Sequence, residues 1–195
     1  MLLGEILAIP PSEIAFRYGV RGKPYLGFDT ELQFNVSHSQ DWAMMAFARG
    51  SSVGVDLEMI DRSLNEEAIA SQLFNTGDFA TWICLPEAHR REVLLSLWVA
   101  KEAVLKSVGV GIAASLKKLV LPIPLPNVGC LVTLDRLMFD VAVERIGLYE
   151  SERNLSKEWR LQLITELPFA MAAVCFEQPL ELRKICYWDD VFVPK

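Results

Sequence analysis

The apolar pattern of the chain changes from a strand period to a helical one near Pro86, and that change limits the folds open to it. Through Phe34–Ser39, Trp42–Ala48 and Val53–Glu58, short apolar and β-branched stretches are separated by Gln40-Asp41 and Gly50-Ser51-Ser52, the spacing of strand, turn, strand, turn, strand. From Pro86 to Val108 the spacing lengthens. Leu94, Leu97, Trp98, Val104, Leu105 and Val108 recur at three and four residues, which predicts one long helix ended by Gly109. Leu161–Leu167 and Phe169–Phe176 read as strands around Pro168, and the proline-rich Leu119–Asn127 as a connector. Residues 12–30, punctuated by Arg21-Gly22-Lys23-Pro24 and Gly27, predict loop. Strands adjacent in sequence with a long helix to pack on them make an α+β fold. The apolar run Trp42–Ala48, bounded by Asp41 and Arg49, reads as a buried strand, and no run approaches the roughly 18 residues of a membrane span.

With 52% apolar and 23% charged residues, the chain has too much core material for disorder. Its 19 Lys and Arg against 25 Asp and Glu leave a net charge of −6, which argues against a broadly basic, nucleic-acid-binding surface. An anionic ligand therefore needs a local cluster of donors. Cys84, Cys130, Cys175 and Cys186 show no C-x-x-C spacing, and His38 and His89 add little toward a structural zinc site, so reduced cysteines in a cytoplasmic protein are expected. The terminus MLLGEILAIPP lacks a basic region and is interrupted by Glu5, unlike a secretory signal. His89, beside Arg90-Arg91, reads as surface, and the irregularly spaced tryptophans as core or interface anchors.

The chemistry-bearing residues lie on the third strand and the helix. Alternation in a strand sends Val53, Val55 and Leu57 one way and Gly54, Asp56 and Glu58 the other. The two carboxylates then stand roughly 7 Å apart along the strand, suited to share a hard cation directly or through water, with Gly54 leaving room for a ligand. A solvated acidic face has the same pattern. On the helix, Lys101 falls inside the buried arc, Glu102 on its flank, and Lys106 one turn beyond Glu102. A plain i,i+4 surface pair accounts for Glu102 and Lys106 but says little about Lys101.

Phe34-Asn35-Val36-Ser37-His38-Ser39, then Val53-Gly54-Val55-Asp56-Leu57-Glu58, then Leu97-Trp98-Val99-Ala100-Lys101-Glu102-Ala103-Val104-Leu105-Lys106 resemble, in order and spacing, the motifs of the Sfp-type 4'-phosphopantetheinyl transferases, the surfactin-synthetase-activating type. Gly22-Lys23-Pro24 resembles a fourth motif of the same family. The resemblance covers about residues 10–110 well, and the strands near Leu161–Phe176 more loosely.

It implies transfer of the 4'-phosphopantetheine arm of coenzyme A to a serine of an apo acyl or peptidyl carrier protein, giving holo carrier protein and 3',5'-ADP. The implied fold is two similar α+β halves related by a pseudo-twofold axis, here residues 1–50 and 51–195, in a monomer. By the same resemblance Asp56, Glu58 and Glu102 hold Mg2+, with Mn2+ accepting the same oxygen shell. Lys106 grips a phosphate oxygen, and Lys101 positions Glu102 or touches the pyrophosphate. Ser37 and His38 meet the 3'-phosphate, and Gly22, Lys23 and Pro24 line the adenine. Glu102, or a metal-bound hydroxide, takes the serine proton. Family members usually carry a longer first half than the twenty-one residues that precede Gly22. Either the recorded start is internal or the first half is truncated, which raises the alternative of a non-catalytic remnant that binds coenzyme A or carrier protein.

Overall fold

The structure, a computed structural model, describes residues 2–28, 30–61, 63–109, 116–125, 130–133, 158–164 and 167–177. Helix α1 (Leu2–Leu7) and a 3-10 turn (Pro11–Glu13) lead into strands β1 (Phe16–Tyr18) and β2 (Pro24–Leu26). Strands β3 (Leu32–Ser39), β4 (Trp42–Arg49) and β5 (Val53–Met59) follow, then helices α2 (Glu66–Leu73), α3 (Thr76–Ile83) and α4 (Glu87–Val108). Strands β6 (Cys130–Thr133), β7 (Glu158–Ile164) and β8 (Ala170–Glu177) complete the described elements. The fold is α+β, as the change of period predicts.

The strands fall into three sheets. β1 pairs with β2, β3 with β4, and β5 joins a four-stranded antiparallel sheet of order β5-β8-β7-β6. Strand β5 thus leaves its sequence neighbour β4 and pairs with the distant β8, from Val53 opposite Phe176 to Met59 opposite Ala170. The region predicted as loop carries the short β1–β2 hairpin. Its turn is closed by Gly22, at φ +80°, whose amide donates to Gly19 O at 2.8 Å.

Each face of the four-stranded sheet has its own cover. Helix α4 lies over one face, where Ala100, Ala103 and Val104 pack with Leu161, Ala173 and Cys175. On the other, Val53, Leu57, Val174 and Phe176 meet Met44, Ala46 and Ala48 of β4. Among the described residues β4 pairs with β3 alone and is covered on one face, so it is not the buried strand its composition predicts: Trp42 is 43% and Met45 47% exposed. A smaller cluster of Leu26, Leu32 and Phe34 is closed by Leu3, Ile6 and Leu7 of α1.

Helix α4 ends as predicted, with Gly109 in the left-handed region and its amide on Leu105 O at 2.8 Å. Helices α2 and α3 are set by Asn65 and Asn75, whose side chains accept the Ala68 and Asp78 amides at 3.0 and 2.9 Å. Among the described residues no helix is long and apolar enough to cross a membrane.

Candidate active site

The site is built where α4 crosses β5, and Gly54 sets how closely they meet. A Cβ added there would run into Ala103 O and Ser107 N and lie 2.8 Å from Ser107 Cα. The missing side chain therefore admits the helix backbone, not a ligand, which corrects the expectation of open space beside the carboxylates. The close approach brings Lys106 down on Asp56, two residues along the same strand face, and Glu102 one helical turn away.

Asp56 and Glu102 are 5% and 2% exposed. Asp56 Oδ1 accepts from Lys106 Nζ at 2.6 Å and Ser37 Oγ at 2.7 Å, and Lys106 Nζ also donates to Ser37 Oγ at 3.0 Å. Asp56 Oδ2 and Glu102 Oε1, both buried, have no hydrogen-bond partner among the described residues. Glu58, half-buried, accepts from Ser39 Oγ at 2.8 Å. Burial pushes the Asp56 carboxyl up; Lys106 and the Ser37 hydroxyl oppose that, and Glu58 adds to it. Burial, reinforced by Asp56 and Glu58 and opposed by Lys106, pushes Glu102 up to about 7.

Two buried carboxylate oxygens without donors, with a third carboxylate near enough to be felt by both, make a locus short of positive charge. Among the described residues no three His, Cys, Asp or Glu side chains already converge as a metal cluster. In donor type and charge, however, Asp56, Glu58 and Glu102 suit an oxygen-only divalent ion that keeps part of its water.

Other expected site residues sit elsewhere. Lys101 is 1% exposed and points away from Asp56, donating to Leu73 O at 2.7 Å and Leu116 O at 3.0 Å, with Asp78 at 3.9 Å and the Phe74 ring beneath it. It ties α4 to the end of α2, its ammonium spent on these carbonyls rather than on Glu102. Desolvation lowers it to about 8.

Lys23, expected at the adenine, instead spends its ammonium on the end of α4, donating to Lys106 O at 2.7 Å and to Ser107 O and Val53 O at 3.2 Å each. The carbonyls of a last helical turn lack intrahelical donors, and a lysine is a natural cap for them. Burial lowers Lys23 to about 8. Ser37 faces the carboxylates, whereas the adjacent His38 lies exposed on the opposite face of β3. The expected Ser37–His38 pair is thus divided between two faces.

Pro24, next to Lys23, lines a cavity of about 380 Å³ with Arg17, Tyr25, Phe28, Gln33 and Phe34. Two residues on the carboxylate-facing side of β3 have no place among the expected site residues. Asn35 accepts the Val55 amide through Oδ1 at 2.9 Å, and Ser39 holds Glu58. The alternation Asn35, Ser37, Ser39 was the available signal: three small polar side chains spaced two apart on one face of the strand.

Comparison with known proteins adds an independent line. The family model described as the 4'-phosphopantetheinyl transferase superfamily matches residues 52–163, more than half of the chain. The 4'-phosphopantetheinyl transferase HetI of Nostoc sp. (strain PCC 7120 / SAG 25.82 / UTEX 2576) is 35% identical over 115 residues, 57% of this chain and 48% of that protein. The 4'-phosphopantetheinyl transferase gsp of Aneurinibacillus migulanus is 32% identical over 107 residues, 55% of this chain and 43% of its own. The 4'-phosphopantetheinyl transferase AcpT of Escherichia coli (strain K12) is 32% identical over 108 residues, 55% of this chain and 54% of its own. The chain spans about half the length of the curated relatives it matches.

Proposed function

The chain belongs to the 4'-phosphopantetheinyl transferase superfamily, and from that premise we propose that it transfers the phosphopantetheine arm of coenzyme A to a serine of an apo acyl or peptidyl carrier protein, releasing 3',5'-ADP. The observation that carries this reading is the pair of buried, donorless oxygens, Asp56 Oδ2 and Glu102 Oε1, beside the Lys106 ammonium. A diphosphate needs positive charge, and this locus can recruit it.

In the proposed reaction the serine oxygen bonds to the phosphorus that bears the pantetheine, and the bond from that phosphorus to the 3',5'-ADP oxygen breaks. Phosphoryl-type transfer depends mainly on positioning and charge neutralisation. Asp56, Glu102 and Glu58 would hold Mg2+, with Mn2+ an acceptable substitute. Such an ion supplies Lewis-acid neutralisation of the diphosphate.

The protein's own groups do the rest. Glu102 takes the serine proton, a role supported by its buried Oε1, which has no donor among the described residues. Lys106 exchanges Asp56 Oδ1 for a phosphate oxygen as a point charge. Ser37, bonded to both Asp56 and Lys106, limits where that ammonium travels. The nucleotide end of coenzyme A would lie in the cavity beside Pro24, a placement supported by Tyr25 and Phe28, which offer faces for a base, and by Arg17, which offers a charge for phosphate. Lys23 serves by joining this wall of the cavity to the end of α4. The reading includes a cytoplasmic monomer with two halves meeting near residues 50–52, where the chain passes from one sheet to the next.

The test incubates the protein with apo carrier proteins, coenzyme A and Mg2+ and follows carrier mass. A gain of one phosphopantetheine arm, lost in Asp56→Ala and Glu102→Ala, supports the reading. No gain with fatty acid, polyketide and peptide carriers overturns it.

A further inference from the structure

Strands β3 and β5 belong to different sheets, and alternate side chains of β3 join them. Asn35 holds the Val55 amide, Ser37 the Asp56 carboxylate, and Ser39 reaches β5 twice. Its hydroxyl accepts the Met59 amide at 3.2 Å and donates to Glu58 Oε2 at 2.8 Å. Ser39 is 5% exposed, and a hydroxyl carries one hydrogen, so the donor is committed once the main chain has fixed the oxygen. Glu58 is half-buried at the rim of the cluster. Its charge is felt by both Asp56 and Glu102.

We infer that Ser39 is a positioning residue: anchored by the Met59 amide, it keeps the Glu58 carboxylate turned to the β3 side of the site, from which it can complete the oxygen shell when a divalent ion and a diphosphate arrive. The inference rests on the proposed function for the identity of the ion. Asn35 makes the same kind of junction to main chain alone, so it separates joining the strands from orienting a carboxylate.

The experiment titrates Mn2+ into the full chain with coenzyme A present, reading free Mn2+ by electron paramagnetic resonance, alongside melting curves. Ser39→Ala should weaken Mn2+ binding about 10–100-fold, the usual effect of removing a partner that orients a metal ligand. Ser39→Thr, which keeps the hydroxyl, should recover most of it. Asn35→Ala should lower the melting temperature while leaving Mn2+ affinity within about threefold, and Ser39→Ala combined with Glu58→Gln should bind no worse than Glu58→Gln alone. If Ser39→Ala does not fold, Ser39→Cys, of similar size and weaker as a donor, takes its place. Wild-type affinity in Ser39→Ala, or additive effects of the two substitutions, overturns the inference alone. A wild-type protein that binds no Mn2+ overturns the metal reading as well.

Discussion

Replacing Glu102 by Gln should stabilise the metal-free protein while abolishing transfer. Burial first, then Asp56 and Glu58, hold this carboxyl at about 7 against an ordinary 4.5, with Lys106 opposing. Between those two values the unfolded chain has released the proton and the folded chain keeps it. Stability therefore falls as pH rises from about 4.5 through 7 and is level beyond. A shift of this size corresponds to about 3 kcal/mol above pH 7 and under about 1 kcal/mol at pH 5. Glutamine has nearly the same shape and carries no charge, so it escapes the penalty. Urea unfolding in chelator should show Glu102→Gln more stable by about 3 kcal/mol at pH 8, a midpoint gain of about 1–2 M for an ordinary slope. The gap should close toward pH 5. A variant less stable than wild type at pH 8, or a difference independent of pH, would show that burial does not penalise the Glu102 charge.

Other substitutions test the architecture around the site. Gly54→Ala should push α4 off β5, costing about 1–3 kcal/mol and transfer together; calorimetry and the carrier-mass assay check it, and wild-type values for both would show that the helix contact is slack. Lys23→Met should strip a donor from three carbonyls and cost about 1–3 kcal/mol by urea unfolding. Lys23 and Lys101 both sit at about 8 rather than 10.5, so the unfolded chain holds more protons between those values and wild-type stability should rise with pH there. That rise should be smaller in Lys23→Met. Lys101→Met should lower the melting temperature yet leave the transfer rate per folded molecule unchanged, because its ammonium bonds Leu73 and Leu116; a folded but inactive variant would return Lys101 to the chemistry.

What the sequence disclosed follows from how local each signal was. Strand β5 and helix α4 carry strong periods over many residues, and the burial of Lys101 and the α4 stop at Gly109 could be read from them. Helices α2 and α3 have eight residues each and depend on asparagine caps and on packing against α4, so their periods were too short to register. The partners of Lys101 come from the end of α2 and from Leu116, segments whose placement only the tertiary fold decides. Gly54 read as space for a ligand, and that it instead admits the helix backbone depends on where α4 lands. Ser39 was visible within a polar alternation, but its carboxylate partner exists only once β3 lies beside β5.

The claim on which the account turns is that Asp56, Glu58 and Glu102 gather around one divalent ion against a diphosphate. Crystals grown with coenzyme A and Mn2+, with anomalous scattering recorded at the manganese edge, address it directly. A single peak in contact with Asp56 and Glu102 and adjacent to the diphosphate is expected, with Lys106 moved from Asp56 to a phosphate oxygen. Bound coenzyme A with no manganese peak among these carboxylates, or with Lys106 still paired to Asp56, would contradict it.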